Sequence, residues 1–203
     1  MLREAMQAEI RCIDQSRIIA AHDPLFEQMK EWLDALPRGS RVLELGTRPA
    51  NPGQHTIRRH LAAQAEWIGC DVQAGDDVDI VADAHSLTTV TGSEQFDAIM
   101  ACSVFEHLAR PWIAAREIAQ ALRPGGRVYV QTHFAFPIHG HPSDYFRFTR
   151  EALGLLFTDA GLTVIDTSYA FQAQIVSNED PHTKNGQAFL NSNVLAEKPN
   201  SPP

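Results

Sequence analysis

Arg41-Val42-Leu43-Glu44-Leu45-Gly46 is a short apolar run interrupted by one acid and closed by a glycine. It follows the turn Pro37-Arg38-Gly39-Ser40 and is too short for a helix, so it reads as a buried strand. The same signature returns at Trp67-Ile68-Gly69-Cys70-Asp71-Val72, at Val78-Asp79-Ile80-Val81-Ala82-Asp83, at Phe96-Asp97-Ala98-Ile99-Met100-Ala101 and at Gly126-Arg127-Val128-Tyr129-Val130-Gln131. Between these runs lie mixed stretches with helical spacing. One runs from Trp112 to Leu122, with Ile113, Ile118, Ala119 and Leu122 apolar, and is closed by Arg123-Pro124-Gly125-Gly126. Strands that alternate with helices predict a parallel sheet covered on both faces.

Working outward, Asp23 is placed to cap a helix with Pro24 at its first position. Leu25, Met29, Trp32, Leu33 and Leu36 then recur at spacings of three and four until Pro37 ends the pattern. A less regular stripe, Met6, Ile10 and Ile13, suggests a helix before it, so residues 1–37 are expected to form a helical cap. On the carboxyl side, Thr149 can cap a helix carrying Leu153, Leu156, Phe157 and Ala160. Two late strands, Thr163 to Tyr169 and Ser192 to Glu197, flank a polar connection that includes Asn178-Glu179-Asp180-Pro181. The expectation is one domain over 38–198 and a disordered tail over 199–203.

The 203 residues allow a single compact domain. A formal charge of -8 gives no electrostatic footprint for a phosphate backbone, so no nucleic acid partner is expected. Cys12, Cys70 and Cys102 form no C-x-x-C pair, and no apolar run is long enough to span a membrane; a reduced, cytoplasmic setting is expected.

Ligands of an open parallel sheet gather outside the carboxyl ends of its strands. Gly46 ends the first strand, and Asn51-Pro52-Gly53-Gln54 carries the signals of a helix start whose free N–H groups would face an anion. Asp71 ends the second strand, where a carboxylate can accept both hydroxyls of a ribose. Asp83-Ala84-His85 ends the third, with an acid able to accept from a purine amine beside a small residue. Cys102 to Leu108 follows the fourth and brings Phe105, Glu106 and His107 to the cleft mouth.

Taken in order, Leu43-Glu44-Leu45-Gly46, Asp71, Ala82-Asp83-Ala84-His85, Phe96-Asp97-Ala98-Ile99, Phe105-Glu106-His107-Leu108 and Leu122-Arg123-Pro124-Gly125-Gly126 resemble the motifs of the class I S-adenosylmethionine-dependent methyltransferases. The likeness is closest to the small-molecule branch called type 11 and covers about Arg41 to Gly161, with Asn193 to Lys198 similar to the family's last strand. It implies a Rossmann-like, doubly wound α/β fold: seven strands, mostly parallel, the last antiparallel. It also implies S-adenosyl-L-methionine as cofactor. Asp71 would then hold the ribose, Asp83 and Ala84 would face adenine, and Glu44 and Gly46 would border the methionine end; Thr47, Val72 and Phe105 would also belong to the cofactor site. The family turn carries further glycines after Gly46, where this chain has Thr47 and Arg48; either Arg48 and the start of the next helix take the cofactor carboxylate, which is the expectation, or cofactor binding is weaker.

Methyl transfer to a hydroxyl or ammonium acceptor asks for a base. The candidates are His107, His133 and the segment His139-Gly140-His141-Pro142-Ser143-Asp144-Tyr145-Phe146-Arg147-Phe148. This segment is similar to a stretch of type 11 relatives, H-x-x-P-x-D-Y-x-R-x-T, and supplies Asp144 and Tyr145 as the acceptor-facing wall. His139, His141 and Asp144 lack a clear fourth ligand, so no metal is expected; Asp144 and Arg147 also read as a simple brace. The acceptor is expected to be a small molecule or a glycan or lipid-linked precursor, and a homodimer stays open. Two other readings remain: a non-catalytic module that binds the cofactor, and a nicotinamide-dependent dehydrogenase, whose G-x-G-x-x-G is missing.

Overall fold

A computed structural model describes residues 9–12, 23–49, 56, 61–140, 142–176 and 186–200. In chain order the elements are β1 (Glu9–Cys12), α1 (Pro24–Asp34), β2 (Arg41–Leu45), β3 (Glu66–Asp71), β4 (Ile80–Val81), α2 (Leu87–Thr91), β5 (Phe96–Cys102), α3 (Pro111–Ala121), β6 (Leu122–His133), α4 (Arg150–Asp159), β7 (Thr163–Val176) and β8 (Gly186–Glu197). They build one sheet in the order β1-β7-β8-β6-β5-β2-β3-β4. The pairs β2–β3, β2–β5, β3–β4 and β5–β6 are parallel, and β8 runs antiparallel to both of its neighbours, β6 and β7.

The sequence periods show directly in the packing. Along β2, Val42 faces one layer and Leu43 the other, as a strand's two-residue alternation requires. Leu25, Met29 and Leu33 of α1 pack over Val42, Ala98, Met100 and Tyr129 on the first face. On the second face, Ile118 of α3 and Leu153 and Phe157 of α4 cover Leu43, Leu45, Ile99 and Val128. Each such side chain, fully buried, contributes roughly 1.5–3 kcal/mol.

Asp23 caps α1 as its position suggests, Oδ1 accepting from the N–H groups of Leu25 (3.1 Å) and Phe26 (3.2 Å). Its other oxygen accepts from the Tyr129 hydroxyl and from Gln131 Nε2 (3.2 Å), which ties the start of α1 to the middle of β6. Thr149 likewise caps α4 through Ala152 N–H at 3.1 Å.

The seven expected strands are present, and β1 makes an eighth. Glu9–Cys12 pairs antiparallel with β7, Glu9 opposite Val176 and Cys12 opposite Ala173. The stripe Met6, Ile10 and Ile13 therefore does not mark a helix through residues 9–12; the open edge of β7 offers backbone partners and takes the segment as a strand. Both late strands extend further toward each other than their apolar runs indicated. The expected helix start at Asn51 to Gln54, the polar connection at 178–181 and the tail end at 201–203 lie outside the described residues. No helix among the described residues is long and apolar enough to cross a membrane.

From β2 the chain steps outward through β3 to β4, then returns to the other side of β2 for β5 and β6. The order reverses between β2 and β5, which opens a crevice at their carboxyl ends.

Candidate functional site

Parallel register brings the motif residues to one level. Leu45 pairs with Cys70 and with Ala101, and Asp71 pairs with Val81, so Gly46, Asp71, Cys102 and Ala82-Asp83 all leave the sheet at the same edge. Gly46 has a φ of +73°, and a Cβ there would strike Val104 Cγ2. Only glycine fits this turn without strain. Thr47 is buried and ties the turn down, its hydroxyl donating to Glu44 Oε2 (3.1 Å) and to the Asp77 carbonyl (3.4 Å).

Asp71 accepts from Gln73 N–H at 2.9 Å and from Arg48 N–H at 3.3 Å, and Arg48 Nε lies 3.9 Å from its Oδ1. Val72 next to it is 63% exposed, an apolar side chain open to a ligand. Asp83 caps the 3-10 turn that follows β4; its Oδ1 accepts from His85 N–H (2.9 Å) and lies 2.6 Å from His85 Nδ1. His85 Nε2 accepts from Arg110 N–H, so Nδ1 carries the proton and donates to Asp83. Burial pushes the Asp83 carboxyl up, but the His85 hydrogen bonds outweigh it and hold the group below its usual value. Ala84, buried, leaves this wall thin.

A second group forms where the ends of β5 and β6 meet the loop at residues 134–149. Glu106 is fully buried, with Oε2 accepting from the Thr132 hydroxyl at 2.6 Å. Its Oε1 lies 3.0 Å from His133 Nε2 and 3.9 Å from the Nε2 atoms of both His107 and His139, and accepts no hydrogen bond among the described residues. Burial pushes this carboxyl up, yet the His133 ring and the Thr132 hydroxyl hold it below its usual value. The loop is laced over the pair: Tyr145 N–H donates to the Glu106 carbonyl, His107 Nδ1 to the Ser143 carbonyl (2.6 Å), and Phe136 stacks on His133 at 3.9 Å.

Three expectations change. Phe105 is fully buried against Phe157 in the core and offers the cofactor no open ring face. Arg48 turns back onto Asp71, the residue expected at the ribose, its Nε 3.9 Å from Oδ1. Asp144 is occupied: Arg147 grips both of its oxygens (2.6 and 2.8 Å), and His139 N–H donates to it at 2.8 Å. The Arg147 hydrogen bonds hold the Asp144 carboxyl well below the carboxylate range, so it is a brace that positions His139 and no base. His107 and His133 both stand beside Glu106, His133 buried, and Tyr145 is half exposed; His141 lies outside the described residues. The convergence of Glu106 with His133 and His139 had no local signal, because the three lie far apart along the chain.

The sequence model of a methyltransferase domain, the type 11 family, matches residues 54–130. Over these residues the chain is similar to the type 11 methyltransferase domain. No curated protein sequence matches it. A SAM-dependent methyltransferase from Archaeoglobus fulgidus superposes with a TM-score of 0.61 at 14% identity, over 86% of this chain and 93% of that one. The [4+2]-cyclase SpnF superposes at 0.59 with 19% identity, over 86% and 81%. Phosphoethanolamine N-methyltransferase 2 of Haemonchus contortus, solved with S-adenosyl-L-methionine, superposes at 0.57 with 11% identity, over 83% and 51%. These likenesses establish the methyltransferase fold.

The cofactor of this family is S-adenosyl-L-methionine, and the residues present fit it. The side-chain-free cradle at Gly46 leaves room that a Cβ would fill, Asp71 offers a strand-end carboxylate, and Asp83 keeps Oδ2 open on a side chain that is 54% exposed. A backbone turn at Gly46 and two carboxylates, Asp71 and Asp83, thus stand in sequence along three adjacent strands.

Proposed function

We propose that this methyltransferase moves a methyl group from S-adenosyl-L-methionine to a small-molecule acceptor. The observation that carries the reading is the alignment of Gly46, Asp71 and Asp83 at one sheet edge, with the histidine-lined mouth beside it. Bound cofactor supplies a methyl group activated by a sulfonium. Asp71 holds the ribose hydroxyls, with Val72 against the sugar; Asp83 accepts from the adenine amine while Ala84 lets the ring approach. Glu44, Gly46 and Thr47 shape the turn that meets the methionine end.

On the acceptor side, the chain's work is to orient a lone pair in line with the leaving sulfur and to exclude water. When bound, the cofactor would give up its methyl carbon to the acceptor and keep the carbon–sulfur electron pair on sulfur. The acceptor proton goes to His107, whose Nδ1–H is fixed on the Ser143 carbonyl so that Nε2 keeps its lone pair. Tyr145, Phe136 and the 85%-exposed Ile138 give the mouth an apolar rim suited to a compact, partly apolar acceptor. An acidic chain of -8 is the wrong surface for a large polyanion.

The test is a panel of hydroxyl, amine and carbon acceptors with isotope-labelled cofactor, read by label transfer. Transfer to at least one small acceptor, lowered in His107→Ala, is expected. Cofactor binding without transfer to any member would favour a binding module instead.

A further inference from the structure

We propose that Glu106, His133 and His139 form a binding site for one divalent first-row transition ion at the acceptor side of the cleft. Glu106 Oε1 and one ring nitrogen from each histidine all lie within 4.8 Å of one another, with Oε1 3.0 Å and 3.9 Å from the two Nε2 atoms. Metal–ligand bonds of about 2.0–2.2 Å place neighbouring ligand atoms about 3–3.5 Å apart, so small side-chain adjustments close the set around an ion.

The tautomers point the same way. His139 Nδ1 faces the Pro137 carbonyl at 3.1 Å, and His133 Nδ1 faces the amide oxygen of Asn191 at 3.1 Å. With Nδ1 engaged by an oxygen, Nε2 of each ring is the atom turned toward Glu106, and an ion bound there would take the place of the ring proton, as metal-ligating imidazoles do. Glu106 is fully buried: Oε2 accepts from the Thr132 hydroxyl, while Oε1 faces only the histidine rings among the described residues, with His133 Nε2 nearest at 3.0 Å. A buried carboxylate needs positive charge or donors beside it, and an ion bound between Oε1 and the two rings would supply the charge.

Further contacts hold the set. Phe136 stacks on His133, and Asp144, fixed by Arg147, receives His139 N–H. Two imidazoles and one carboxylate suit zinc- or iron-type ions and leave coordination positions open. The role of the ion, though not its binding, rests on the methyl-transfer reading: an open position would take an acceptor oxygen as its anion, beside His107.

Zn²⁺ titrated by calorimetry into the full chain, stripped beforehand with a chelator, tests the site, with Co²⁺ absorption reporting its ligands. One ion per chain is expected, with affinity at least about tenfold weaker in His139→Ala and in Glu106→Gln. His139 is half-buried on a loop, and circular dichroism checks that its variant folds. No stoichiometric uptake would overturn the site, as would uptake unchanged in His139→Ala, which marks an adventitious ion only. S-adenosylmethionine titrated into the same stripped protein separates the two readings: cofactor binding without zinc binding ends this proposal and leaves methyl transfer standing, and the reverse result does the opposite.

Discussion

Arg48 lies against Asp71, its N–H donating to Oδ2 at 3.3 Å and its Nε 3.9 Å from Oδ1. The guanidinium is 42% exposed, so the ion pair is screened and contributes at most about 1 kcal/mol. On the proposed reading, a ribose diol arriving at Asp71 would displace this contact at little cost, while the backbone N–H would continue to orient the carboxylate. Arg48→Ala is therefore expected to change cofactor affinity by less than about fivefold in calorimetry. A hundredfold loss would return the guanidinium to the cofactor's carboxylate.

Gly46→Ala places a Cβ on Val104 Cγ2 at a φ of +73°. Backbone strain of that kind costs roughly 1–3 kcal/mol, and the melting temperature should fall by roughly 2–12 °C in a chain of this size. Calorimetric scanning reads the shift, and an unchanged melting temperature would mean that the turn relaxes freely.

Burial and the neighbouring Asp71 charge push the Cys70 thiol up to about 11, and burial with the charges of Glu44, Asp23 and Glu106 pushes Cys102 up to about 12. The thiolate is the reactive form, and its fraction falls as the pKa rises above the working pH. At pH 8 roughly one thiol in a thousand at Cys70, and one in ten thousand at Cys102, is ionised. Native alkylation followed by peptide mass mapping should leave both unmodified while urea-unfolded protein is labelled at once. Fast native labelling at either residue would contradict the packing around it.

Tyr129→Phe removes the hydroxyl that donates to Asp23 and leaves Gln131 as the side-chain donor to that oxygen. Loss of a buried hydrogen bond to a carboxylate should cost about 1–3 kcal/mol, visible as an earlier urea midpoint. A midpoint equal to wild type would show that Asp23 caps α1 without help from β6.

β2, β3, β5 and the middle of β6 were legible because each carries a short apolar run largely buried in the sheet, a pattern set locally, whereas β4, at the sheet edge with Val81 exposed, keeps only Ile80–Val81 of its expected run. Asp23 and Thr149 were legible as caps for the same reason. Residues 9–12 were not: Ile10 fits either a helical stripe or a strand, and the choice is made by the edge of β7, more than 160 residues away. Of the candidate site, the placement of Asp71 and Asp83 at strand ends could be read locally, whereas Phe105 could not be separated from the core without knowing that Phe157 packs on it. Asp144 looked equally like a base and a brace until Arg147 was seen on both of its oxygens. Glu106 stood in a motif beside His107, but its facing His133 and His139 depends on how the loop after β6 folds back.

The central claim is that Asp71 anchors S-adenosyl-L-methionine at the end of β3, and paired calorimetric titrations of the wild type and Asp71→Ala test it most directly. The account predicts one cofactor per chain in the wild type and an affinity about 5- to 150-fold weaker in the variant, the equivalent of about 1–3 kcal/mol for a hydrogen-bonded charge. Equal affinities in two folded proteins, or no binding by the wild type, would contradict it.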